Sequence, residues 1–65
     1  MTRKHFEMIA AQIKAQLDFT QSKGTEDQKL TAYLTLQNLT NDLATQFAYA
    51  NDNFDFGRFK RACGF

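Results

Sequence analysis

The stretch TEDQKLTAYLTLQNLTNDLATQFAYA, from Thr25 to about Ala50, constrains the fold more than any other part of the chain. Ala32, Leu36, Leu39, Leu43, Phe47 and Ala50 recur at steps of three and four, the spacing of one helical face. Thr25 followed three residues later by Gln28 has the form of an N-terminal capping box. Glu26 and Asp27 then fall in the first turn, where negative charge meets the positive end of the helix dipole. Such a helix is roughly 39 Å long at about 1.5 Å rise per residue. It is the spine, since no other segment is as long.

Sixty-five residues make a single domain. A chain of this size buries only about 60% of the surface its unfolded form exposes, so its core is marginal. Small scaffolds add a disulfide, a metal, a second subunit or idealised helix packing. Cys63 is the only cysteine, which excludes an internal disulfide. His5 and Cys63 are the only soft ligands, and no C-x-x-C or H-x-x-H spacing exists, which argues against a metal site. Helix packing and a homo-oligomer remain open. Net charge is +1, too balanced for a strongly basic nucleic-acid binder or an acidic DNA mimic. Five of the seven Phe stand at position 47 or later, supplying large buried area or binding anchors. No secretory h-region and no apolar run of membrane-spanning length are present. With one free cysteine, this gives a cytoplasmic expectation.

Before the spine, a first helix is expected from Arg3 to about Ser22 with Thr2 as N-cap. Phe6, Ile9, Ala10, Ile13 and Leu17 form its main stripe. Met8, Ala11, Ala15 and Phe19 form a second row that widens the apolar arc, as suits a helix with two neighbours. Arg3, Lys4 and His5 stand where cations are mildly unfavourable, either as a solvated terminus or as a contact for phosphate or an acidic partner. The link Gln21 to Gly24 is short, so the first two helices are antiparallel neighbours. The spine carries a flanking row of Leu30, Tyr33 and Leu34. Its polar face of Thr, Asn and Gln includes Asn38, Asn41 and Thr45. These are poor helix formers, so tertiary packing must hold the spine.

Asn51-Asp52-Asn53 ends the spine, and Phe54 to Phe65 reads as a short third helix. Asp55 is its cap, and Phe54 and Phe59 are spaced as a hydrophobic staple. Gly64 with Phe65 has the form of a Schellman ending. Arg58, Lys60 and Arg61 suit the middle and last turns, where the dipole favours cations. Gly57 costs about 1 kcal/mol relative to Ala inside a helix, so close packing or a partner is expected to use its bare backbone. The fold expected is all-α: an antiparallel αα-hairpin of two long helices plus a short C-terminal third helix.

The string from Asp52 to Gly64, with Phe54-Asp55, Arg58-Phe59 and Ala62-Cys63-Gly64, resembles the end of small uncharacterised proteins encoded by bacteriophages and prophages, N-x-x-F-D-x-x-R-F-x-x-A-C-G. Asn53 stands directly before Phe54 here, a departure from that spacing. The opening Thr2-Arg3-Lys4-His5-Phe6-Glu7 with Ile9-Ala10 is similar to their start, which often reads K-x-x-F-x-x-I-A. The resemblance covers about 20 residues at the two ends of the chain and implies a phage origin, with a bacterial host cytoplasm as the setting.

No catalytic constellation or cofactor motif emerges, so the chain is not expected to be an enzyme. His5 lies near an end, Cys63 has no nearby His, Asp52 and Asp55 read as turn and cap, and the glycines stand apart at 24, 57 and 64. Three binding roles follow. The first is a stoichiometric inhibitor or modulator of a host protein, of an anti-defence or anti-CRISPR-like kind, acting through Tyr49 and Phe56 beside Arg58, Lys60 and Arg61. The second is a nucleic-acid contact by Arg58, Lys60 and Arg61 with Arg3 and Lys4. The third is an oligomeric sponge for a nucleotide signal, held between subunits by Tyr33 or Tyr49 and the same cations.

Overall fold

The computed structural model describes residues 2–65. Three helices follow one another, α1 (Arg3–Gln21), α2 (Glu26–Ala50) and α3 (Phe56–Ala62), and each packs against the other two. The all-α expectation holds, as do the antiparallel pairing of the long helices and the short third helix. The molecule measures 40 × 17 × 14 Å, its long axis set by α2.

Local chemistry sets each boundary. At the start of α1, His5 Nδ1 accepts the Thr2 N–H at 3.2 Å, and Arg3 pairs with Glu7 at 3.3 Å. His5 and Arg3 thus both take part in building this terminus. At α2, Thr25 Oγ1 accepts from the Gln28 N–H, and Gln28 Oε1 accepts from the Thr25 N–H. The capping box is closed. Gly24, at φ +93°, turns the chain into that cap.

In α3, Asp55 Oδ1 accepts the Arg58 N–H at 2.9 Å, and the rings of Phe54 and Phe59 lie 5.5 Å apart, which completes the staple. The helix ends with Gly64 at φ +98°. The Phe65 N–H reaches the Lys60 carbonyl and the Gly64 N–H reaches that of Arg61, the two bonds of a Schellman motif. The ring of Phe65 does not return to α3 alone; it meets Tyr33 of α2 edge-on at 5.2 Å.

The core is small: Ala10, Ile13 and Leu17 from α1, Ala44 from α2, and Phe59 and Cys63 from the α3 region, joined by the polar Thr40. The main stripe of α1 is placed as its spacing predicts. The stripe of α2 needs correction. Leu39 is 46% exposed and Ala50 is also in solvent, whereas Thr40 and Ala44 are fully buried. The six-residue stripe fits a helix packed on one neighbour. With α1 on one side and α3 on the other, the buried line of α2 lies between them, at residues small enough for both to approach. The second row of α1 also needs correction, because Met8, Ala11, Ala15 and Phe19 are all exposed. Helix α1 does touch two neighbours, but both lie on its other side. On α2, Leu30 and Leu34 stay in solvent while Tyr33 packs on Phe65.

Candidate functional site

Helix α3 is buried along Phe59 and Cys63, four residues apart. At about 100° per residue its remaining positions run round the helix in the order Phe56, Lys60, Gly57, Arg61, Arg58, Ala62. Four of the five residues singled out from sequence therefore lie on one short helix, Phe56 and Lys60 on the flank beside the buried line and Arg58 and Arg61 turned outward. Phe56 is 39% exposed, and the Lys60 ammonium lies 5.8 Å from its ring centroid, a cation–π arrangement at helical i, i+4 spacing. Arg61 lies outermost, over Gly57.

On the flank facing α1, Arg58 lines a cleft of ≈ 390 Å³ with Arg3, Glu7, Asn51, Asp55 and the ring of Phe54. Two arginines from opposite ends of the chain share this cleft because α3 runs alongside the first turns of α1. Glu7 and Asp55 supply opposite charge there, so the cleft is mixed rather than basic. The sequence joined Arg3 to the α3 cations. It gave no signal for Glu7 or Asn51, whose inclusion depends on the path of the loop from Asn51 to Asp55.

Tyr49 is separated from this group. It stands nine residues from buried Thr40, half a turn round α2, and is 83% exposed. It extends the apolar surface of the molecule, not the α3 face. Gly57 has no steric role inside the fold: a methyl group there meets nothing closer than Arg61 Nη1 at 3.3 Å, the end of a flexible side chain. Of the two uses expected for its bare backbone, internal close packing is thus removed.

Cys63 is buried where α3 meets α2. Burial pushes its thiol above the ordinary value of 9.0, and the adjacent Thr40 hydroxyl offsets part of that rise. Thr40 Oγ1 is buried without a regular hydrogen bond and interacts with the Cys63 thiol. A buried thiol held neutral is a poor nucleophile, and here it serves as a small core residue. Among the described residues no cluster of three or more His, Cys, Asp or Glu is placed to hold a metal ion, and no helix is long and apolar enough to cross a membrane.

Compared with protein-family models, curated proteins and solved structures, the chain matches none.

Proposed function

We propose that this chain is a small phage-encoded interaction protein that acts by stoichiometric binding to a host protein, of an anti-defence kind. The observation that carries the reading is the distribution of large apolar side chains. Met8, Phe19, Leu30, Tyr33, Leu34, Leu39, Tyr49 and Phe56 are all exposed, more large hydrophobic residues than the core holds. Scattered single apolar residues are ordinary, but this density on so small a surface favours a protein partner. Within that surface, α3 combines an aromatic ring with Arg58, Lys60 and Arg61, the residue types enriched where binding energy concentrates. The phage setting rests on the likeness of the terminal Phe-Asp, Arg-Phe and Ala-Cys-Gly pattern to phage-encoded proteins.

The test is affinity capture from host lysate with and without nuclease, using the natural chain and the Arg58→Ala, Arg61→Ala double variant. Both arginines are exposed, so the double variant keeps its helix content by circular dichroism. The expected result is a protein partner that survives nuclease and is lost with the double variant. The three cations Arg58, Lys60 and Arg61 along one short helix favour a second reading, a phosphate contact. Under that reading capture vanishes with nuclease and weakens steeply with salt. Unfolding of the double variant would make these arginines structural and remove the proposed contact.

A further inference from the structure

Met8, Ala11, Ala15 and Phe19 lie on the side of α1 opposite Ala10, Ile13 and Leu17. Neither α2 nor α3 covers this side: Met8 is 57% exposed and Phe19 56%. Lys4 lies within this side, and Asp18, Glu7 and Lys14 run along its edge next to Ala11. About Ala11 the series is antisymmetric. Lys4 and Asp18 stand seven residues to either side, while Glu7 stands four before and Lys14 three after. Turned end for end about Ala11, the same helix sets a negative charge against Lys4 and against Lys14, while Arg3, already paired with Glu7, comes level with Phe19.

We propose that a second copy of this chain docks here, α1 against α1 in antiparallel register, with the two-fold axis at Ala11. A two-fold interface is one patch meeting itself, so every favourable pair occurs twice. In this register Lys4 is level with Asp18 of the partner subunit. Glu7 falls within about 1.5 Å, one residue's rise, of the level of the partner's Lys14. Met8 is similarly level with the partner's Ala15, a large side chain over a small one. Ala11 meets the partner's Ala11 at the axis, and so small a pair suits the close end of the roughly 8–10 Å range of helix separations. Lys14 already bonds Asp18 at 3.1 Å and Arg3 already bonds Glu7 at 3.3 Å. The seam therefore joins two existing ion pairs into an alternating network, where charges contribute more than as isolated exposed pairs. It also supplies the second subunit that a marginal core without a disulfide lacks. The outward face of α3 takes no part in this seam.

Sedimentation velocity of the intact chain tests the proposal, from about 1 μM to about 1 mM because a seam confined to one helix pair is at the weak end of interfaces. The mass should rise from 7.5 kDa towards twice that value and stop there. Ala11→Arg, at an exposed position of high helix propensity, should keep its helix content and remain at 7.5 kDa. Lys4→Glu alone and Asp18→Lys alone should each weaken assembly by about tenfold or more through like-charge opposition. An equimolar mixture of these two variants should assemble, because each restores the other's pairing only in the antiparallel register. The proposal is overturned by a natural chain that stays at single mass, by a dimer indifferent to Ala11→Arg, by growth past twofold, or by a mixture no better than its components.

Discussion

The two ends of this bundle are held by different physics. At one end α1 sends Phe6 into a cluster with Phe47, Phe54 and Phe59 from the end of α2, the loop after it and α3, with neighbouring ring centroids 4.8–5.6 Å apart in tilted and edge-to-face geometry. Such pairs add about 0.5–1.5 kcal/mol each beyond the area they bury. At the hairpin end the devices are local: the Thr25–Gln28 box, a Gln21 side-chain bond to the Lys29 carbonyl at 2.9 Å, and the Lys23 ammonium 4.9 Å above Phe19. Phe19, Leu30 and Leu34 stay in water there. Tertiary stability is thus concentrated where the start of α1 and the α2–α3 loop converge, and the hairpin end is organised mainly by its own turn, with Phe65 on Tyr33 as the contact reaching towards it. A chain built this way can leave apolar surface exposed at one end without losing its fold.

The comparison breaks most visibly at Phe59, the one ring of the cluster that is fully buried. Phe59→Ala should cost about 3–5 kcal/mol, most of the roughly 5 kcal/mol or somewhat more that a domain of this size commands. In chemical denaturation followed by circular dichroism, the variant should retain only about 0–2 kcal/mol and begin to unfold at the lowest denaturant concentrations at 25 °C. A cost near that of a surface substitution would mean that the aromatic end is not the anchor.

Two glycines near the same helix sharpen the contrast further, because they should respond with opposite sign. Gly64 sits at φ +98°, and a methyl group there would lie 2.9 Å from Leu17 Cδ2. The left-handed conformation alone costs a side chain about 1–2 kcal/mol, and relieving the approach to Leu17 adds to it. Gly64→Ala should therefore destabilise by about 2 kcal/mol or more. Gly57 has helical backbone, and the one close neighbour of an added methyl group is the flexible end of Arg61, so Gly57→Ala should stabilise by up to about 1 kcal/mol. Both are read as shifts in denaturation midpoint, and equal signs would refute the separation of a closure glycine from a helix glycine.

The contrast also explains which features were legible from sequence. Helix starts and stops are local, and Thr25 with Gln28, Asp55 with Phe54 and Phe59, and Gly64 each announced themselves by short-range chemistry. The stripe of α1 was legible for the same reason. The buried line of α2 was not, because it depends on where α3 comes to rest. Thr40 and Ala44 look unremarkable in a hydrophobic pattern, yet their small size is what admits a third helix. Leu39 has the right spacing and chemistry, and only the position of its neighbours leaves it outside. The α3 face was readable because one short helix carries it, whereas the cleft it shares with Arg3 and Glu7 needed the tertiary path. Tyr49 was grouped with α3 on residue type, a criterion blind to the half turn that separates it from the buried line.

The smallest expected effect lies at the hairpin end and closes the comparison. Leu30 is 57% exposed on the second turn of α2, beside the Lys29 carbonyl that ties the hairpin. Fully burying a leucine is worth about 1.5–3 kcal/mol, so its removal discriminates sharply between a covered and an open position. Ala has the higher helix propensity, which offsets what little burial is lost. Leu30→Ala should accordingly change stability by no more than about 0.5 kcal/mol in the same denaturation experiment. A loss above about 1.5 kcal/mol would place Leu30 under a covering surface. The hairpin end would then be as much a part of the core as the aromatic end, and the division of the bundle into a packed end and an open end would fail.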